Sequence, residues 1–338
     1  MENSKIALVV TTISPPNPVL EALASGAAEN GIRFIAIGDE KSPADFALEG
    51  CEYYGLADQR KLDFKFAGAC PTRHYARKNI GYLLAMQSGA EIIIETDDDN
   101  FPREGFWQPR LRRSKAAAFG ESGWVNAYRY FSDNQIWPRG LPLDEVNTAL
   151  ADFETLPQRT VDCPIQQGLA DENPDVDAIY RLLLSLPQNF RDDRRLALSA
   201  GAWCPFNSQN TTWWRDAFPL LYLPAFCSFR MTDIWRSFVA QRLAWTNEWS
   251  LLFHEPTVCQ ERNEHNLMRD FQDEVPGYLH NRAICETLES IDFAAGSDAI
   301  SGNLRRAYAA LTEKGYIGMG EMPLLDAWLD DCAQIFGI

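Results

Sequence analysis

The chain is punctuated by short apolar runs that alternate with helical spacings. Lys5 to Thr12 reads as a buried strand and leads into a proline-rich turn at Ser14 to Pro18. From Val19 to Asn30 the apolar positions Leu20, Leu23 and Ala27 follow helical spacing, with Gly31 placed to cap the end. Arg33 to Ile37 is a second short strand closed by Gly38-Asp39. Strand, helix and strand in that order imply a parallel sheet. Tyr53 and Tyr54 mark a third strand. A helix is predicted from Pro71-Thr72 to about Gly89, with Ala76, Ile80, Leu83, Leu84 and Gln87 on one face and Arg73 and Arg77 as an i,i+4 pair on another. Then come Ile92, Ile93 and Ile94, a run suited to a strand buried on both faces, ending in Asp97-Asp98-Asp99.

Further along, Ser228 to Asp233 leads into a long predicted helix with Ile234, Phe238, Trp245 and Trp249 spaced toward the core; Thr232 or Asp233 is placed to cap it. Beyond Asp270 the spacing is mostly helical over Tyr278 to Ile291, Gly302 to Lys314 and Met322 to Ile335. No chemistry is legible there, and these helices are expected to pack across the sheet or cover the site. The organisation expected is an α/β domain over residues 1–268 with a helical extension over 269–338.

Composition changes this picture mainly through charge. A net charge of −16 over 338 residues argues against a protein that coats nucleic acid or an anionic membrane. No window approaches the roughly 20 apolar residues that span a bilayer, and Met1 to Val10 lacks the pattern of a secretory leader. The eight cysteines show no CxxC pairs or zinc-ligand spacing, so free thiols in a cytoplasmic protein are expected.

Ligands of open α/β sheets bind beyond the carboxyl ends of the strands, where Thr11, Thr12, Asp39 and the aspartate triplet all fall. Three carboxylates there suit a hard divalent cation, although an isolated acidic triplet also serves as a solvated turn. Asp39 alone could equally be a turn-former. Arg73, His74, Arg77 and Lys78, just before the acidic strand, suit an anion that also needs a metal, or form a solvated helix face.

In order along the chain, Ala76-Arg77-Lys78-Asn79-Ile80-Gly81, an apolar strand and Asp97-Asp98-Asp99 resemble the nucleotide-sugar half of GT-A glycosyltransferases, in which a strand ends in a DxD motif. Trp137 to Pro142, Gln167-Gly168-Leu169, Pro174 to Ala178, Arg230 to Trp235 and Glu261 to Asn266 resemble the reversibly glycosylated polypeptides, which are UDP-arabinopyranose mutases, and more closely the STELLO group of glycosyltransferases.

This resemblance implies a GT-A fold, a UDP-linked donor, a hydroxyl acceptor such as a carbohydrate, and Mn²⁺ or Mg²⁺. It assigns Thr11, Thr12, Asp39, Arg73, Arg77, Asn79, Asp97 and Asp98 to the nucleotide, and Asp97, Asp99 and His265 to the metal, with His254 and Gln260 as alternatives to the histidine. It makes Asp233 the candidate general base, with Arg230 and Arg139 beside the diphosphate and donor sugar. The aromatic stretch Ala202 to Trp214, with Trp203, Asn207, Asn210, Trp213 and Trp214, is a candidate acceptor platform, core packing being the other role open to its tryptophans. A UDP-sugar mutase, or a catalytically silent nucleotide-sugar-binding partner of a synthase complex, are the competing functions.

Overall fold

The computed structural model describes residues 5–261 and 266–337. Its first elements are β1 (Ile6–Thr11), α1 (Pro18–Glu29), β2 (Arg33–Ile37), β3 (Glu52–Tyr54), α2 (Leu56–Gln59), α3 (Lys65–Ala69), α4 (Lys78–Gln87), β4 (Ile92–Thr96) and β5 (Asn100–Pro102). Then follow β6 (Arg113–Phe119), β7 (Gly123–Trp124), β8 (Gln158–Asp162), β9 (Ile165–Asp171), α5 (Ala178–Leu183), β10 (Arg195–Leu198), β11 (Ala202–Trp203) and β12 (Asn210–Trp214). The last are α6 (Thr232–Trp245), β13 (Leu251–Gln260), α7 (Leu267–Glu289), α8 (Ile300–Glu313) and α9 (Glu321–Phe336).

Eleven strands form one twisted sheet in the order β3-β2-β1-β4-β12-β9-β13-β10-β6-β8, with β5 paired to β13. The first four strands are mutually parallel, so Thr11, Ile37 and Thr96 end on a single edge. Because β12 runs antiparallel to both β4 and β9, and β13 runs parallel to β9, the start of β12 and the end of β13 reach that edge too. Helices cover both faces, as the expected α/β class requires.

Side-chain alternation explains the continuous apolar runs. Val9 and Ile93 point into the cluster under α4, whereas Leu8, Val10, Ile92 and Ile94 point into the one under α1. Asn17 caps α1 by accepting from Leu20 N, and Gly31 follows the helix with φ 63°. Gly81 lets α4 lie close to the sheet, since a Cβ there would stand 2.5 Å from Val9.

Several expectations shift. The predicted helix from Pro71 begins only at Lys78, after a 3-10 turn over Tyr75–Arg77, so Arg73 and Arg77 are not a helical pair. Side-chain bonds hold the preceding backbone away from helix: Thr72 and Arg73 both bind Glu40, His74 N binds Asp39, and Arg73 has φ 56°. Trp249 lies beyond the end of α6, though still buried in the core. The helix α7 starts at Leu267, eleven positions before the predicted Tyr278. Ile284, Leu288, Leu304, Leu311, Leu325 and Trp328 of α7, α8 and α9 belong to the same buried cluster as α4 and α6.

Candidate functional site

A cleft of about 600 Å³ opens along the shared strand edge. Its lining includes Thr11, Thr12, Asp39, Arg73, Arg77, Asp97, Asp98, Asp99, Arg139, Arg230 and Asp233, so most residues singled out in the sequence converge there. His74, Tyr75, Asp175, Arg181, Ser208, Phe229 and Gln260 complete much of the wall.

The three aspartates face different partners. Asp97 Oδ1 accepts from Tyr75 Oη at 2.7 Å and from Lys78 Nζ at 3.0 Å. Asp98 accepts from Thr12 Oγ1 at 2.6 Å; burial pushes its carboxyl up, with the Thr12 bond opposing. Asp99 accepts from Gln260 Nε2 at 3.1 Å, and its backbone oxygen accepts from Glu261 N. Asn17 Nδ2 donates to Asp98 O, so the side chain that caps α1 also holds the acidic turn.

Asp233 stands in the first turn of α6, where the positive end of the helix favours a carboxylate. It is not the cap: Met231 occupies that position, and Asp233 Oδ1 accepts from the adjacent Ile234 N. Arg139 grips it with Nη1 to Oδ1 at 3.0 Å and Nη2 to Oδ2 at 2.9 Å. Burial would raise the Asp233 carboxyl, but the Arg139 guanidinium overrides it and brings the group down to about 2. Arg139 also binds both oxygens of Asp175 at 2.8 Å and donates to Arg230 O. All five N–H donors of a guanidinium are thereby engaged, so Arg139 acts as a positioning clamp. Gly140 permits the approach: its φ is +93°, and a Cβ would stand 2.5 Å from Ile234 of α6.

Arg230 is held from behind by Glu274 of α7, which is fully buried and accepts from Nε at 3.0 Å and Nη2 at 2.9 Å. Hydrogen bonds link the two halves of the site. Ser208 Oγ lies 2.7 Å from Tyr75 Oη, whose own proton goes to Asp97, and 3.3 Å from Asp233 Oδ2, so its single hydroxyl proton serves one or the other. A buried pair aligns the same elements more rigidly: Arg236 of α6 donates through Nη1 to Glu95 Oε2 of β4 at 2.9 Å, and Trp213 Nε1 donates to Glu95 Oε1 at 2.8 Å.

Some assigned residues have other work. Asn79 is fully buried away from the cleft, and its amide exchanges two 2.9 Å bonds with the backbone of Leu223. Arg77 reaches the cleft wall, but its guanidinium binds Gln59 and the carbonyl of Cys70. Asp39 accepts from Glu40 N and His74 N, a turn-forming role alongside its place in the cleft. Arg73 pairs with Glu40 and is largely exposed. Trp203, Trp213, Trp214, Asn207 and Asn210 are all buried, so the aromatic stretch is core and no platform. His254 is also buried, with Nδ1 at 3.0 Å from Glu255 O, and burial lowers its pKa to about 4. His265 lies outside the described residues.

Tyr75 and Ser208 are the main parts missing from the residues singled out in the sequence, whereas Lys78, read there with Arg73, His74 and Arg77 as suited to an anion, binds Asp97 instead. Tyr75 sits inside that basic run, which is the signal that could have placed it; Ser208 carries none.

Topology and cleft together define a Rossmann-type, GT-A-like α/β protein whose parallel strands deliver carboxylates to one edge. Residues 230–337 match the family model described as STELLO glycosyltransferases. Over 97% of its length the chain is similar to two proteins of Arabidopsis thaliana, 26% identical to "Probable glycosyltransferase STELLO2" and 29% identical to "Probable glycosyltransferase STELLO1". It spans only 44% of either relative's length. A solved structure titled "Crystal Structure of a Mycobacterial Protein" matches at 9% identity with a TM-score of 0.42, covering 84% of this chain and 76% of that one. The chain is therefore similar to STELLO proteins over nearly its whole length. No helix among the described residues is long and apolar enough to cross a membrane, and all eight cysteines are free.

Proposed function

We propose that the chain is a metal-dependent glycosyltransferase that moves a sugar from a UDP-linked donor to a hydroxyl acceptor. One observation carries the reading: the aspartate turn, the ends of β1 and β2, Arg230 and Asp233 line the same cleft. Thr11, Thr12 and Asp39 form its nucleoside end. Among the described residues there is no group of three or more His, Cys, Asp or Glu that could enclose an ion. A pair of hard carboxylates, Asp97 and Asp99, nevertheless suits Mg²⁺ or Mn²⁺, which are commonly held by one or two carboxylates together with substrate phosphates and water. Bound there, such a cation supplies Lewis-acid stabilisation of the departing diphosphate.

The chain's own residues supply the remainder. Arg230, steadied by Glu274, offers positive charge to the diphosphate. Asp233 stays ionised and accepts the acceptor's proton. Its low basicity is compatible with that role, because the acceptor hydroxyl becomes strongly acidic once its oxygen begins to bond to an electron-poor anomeric carbon. Arg139 orients Asp233 throughout.

Calorimetry with UDP tests the donor site. Affinity is expected to rise with Mn²⁺, and Asp99→Ala is expected to lose at least about tenfold of the metal-dependent part, the scale seen even for outer-shell partners of metal sites. Equal affinity with and without metal in the wild-type protein would defeat the metal assignment. A screen of nucleotide sugars, with products read by NMR, then separates transfer from rearrangement: the same UDP-sugar in a new ring form would identify a mutase.

A further inference from the structure

We propose that Lys78 is a buried cation built into the aspartate turn: it anchors Asp97 through one oxygen, so the cleft takes up a divalent ion together with a nucleotide diphosphate and holds the bare ion weakly. The inference rests on the metal-dependent reading above and adds to it the order in which charge is assembled.

Lys78 is the first residue of α4 and is fully buried. A lysine in that state requires oxygen partners. Its Nζ donates to Thr96 O at 2.6 Å, Tyr75 Oη at 2.7 Å and Asp97 Oδ1 at 3.0 Å, and lies 3.4 Å from Ser208 O. Three close acceptors match the three protons of an ammonium, so Lys78 has no donor to extend toward a phosphate. It acts on the cleft through Asp97, as a positioning residue. Tyr75 Oη also donates to Asp97 Oδ1, so both hydrogen bonds that the described residues make to the Asp97 carboxylate end on the same oxygen. The carboxylate remains about 29% exposed, on the cleft wall.

The electrostatic consequence has opposite signs for the two ligands. Without Lys78, three adjacent carboxylates would attract a bare divalent cation and repel a diphosphate. A fixed ammonium one hydrogen bond behind Asp97 weakens the first effect and softens the second. Because it is buried, salt screens it little. A lysine needed only for folding would not separate the two ligands.

The test measures Mn²⁺ alone, by the paramagnetic signal of the free ion, and UDP in saturating Mn²⁺, by calorimetry. Wild type, Lys78→Met and Lys78→Arg are compared after circular dichroism confirms the fold. In Lys78→Met, Mn²⁺ alone is expected to bind on the order of tenfold more tightly, and UDP with Mn²⁺ on the order of tenfold more weakly, the scale of a nearby charge at intermediate dielectric. Lys78→Arg should restore both toward wild type. Affinities that are unchanged, or weakened together, in a folded Lys78→Met protein overturn the inference. If Lys78→Met does not fold, wild type alone decides: Mn²⁺ bound as tightly without UDP as with it overturns the proposal, whereas at least tenfold cooperativity supports it. Absence of UDP binding under any condition defeats the nucleotide-sugar reading instead, and the Mn²⁺ comparison between wild type and Lys78→Met still decides the role of Lys78.

Discussion

At the scale of single residues, Asp233 shows how packing sets chemistry. Its carboxyl, brought down to about 2 despite burial, makes a stability contribution with a defined sign. A depressed pKa contributes stability that is fully present above the ordinary carboxylate value near 4 and is lost as pH falls through the folded value. A shift of this size corresponds to about 2 kcal/mol. Urea denaturation between pH 5 and pH 2 should therefore show wild type losing about 2 kcal/mol more than Asp233→Asn over the same interval. Parallel curves would mean that the Arg139 pair does not form in solution. At neutral pH, Asp233→Asn should keep UDP affinity while transfer falls on the order of a hundredfold or more, the usual weight of a general base. Turnover at the wild-type rate would reduce Asp233 to a structural role.

Elements show what made the site legible. Short apolar runs revealed β1, β2 and β4, and parallel pairing necessarily brought Thr12, Asp39 and Asp97 to one edge. Residues whose orientation depends on distant partners were harder to read. Asn79 lies next to Lys78, yet one side chain meets Leu223 far along the chain while the other meets the acidic turn. Local spacing likewise could not reveal that Glu40 and Asp39 hold residues 72–74 out of helix, or that strand pairing would bury the tryptophans of 202–214. Glu95 is the sharpest case: a charged residue in an apolar strand, explained by Arg236 of α6 together with the donors of Trp213 and Tyr82. Removing one partner of such a pair leaves the other buried and uncompensated, so Glu95→Ala is expected to cost about 3–5 kcal/mol, measured by urea denaturation. A cost below about 1 kcal/mol, the scale of exposed pairs, would show that water reaches Arg236.

Over the whole molecule, the C-terminal helices are structural parts of the cleft even though they carry no residue in its lining. Trp328 of α9 meets Phe66 and Tyr222 at ring distances of 6.0 and 5.9 Å. Asp331 accepts from Lys65 N and Phe66 N, while Glu321 accepts from Ala225 N and Phe226 N. These contacts brace α3, whose end at Cys70 holds Arg77, and the segment that leads to Arg230 and Asp233. Glu274 of α7 grips Arg230 directly. Each fully buried apolar side chain of this kind contributes about 1.5–3 kcal/mol, against a total stability of only about 5–15 kcal/mol for a typical protein. A chain ended at residue 268 should consequently lose cooperative thermal unfolding, followed by circular dichroism, and UDP binding with it. A truncated protein that unfolds cooperatively and still binds UDP would make residues 269–338 a dispensable cover, and would locate the support of Arg230 and Asp233 within the sheet itself.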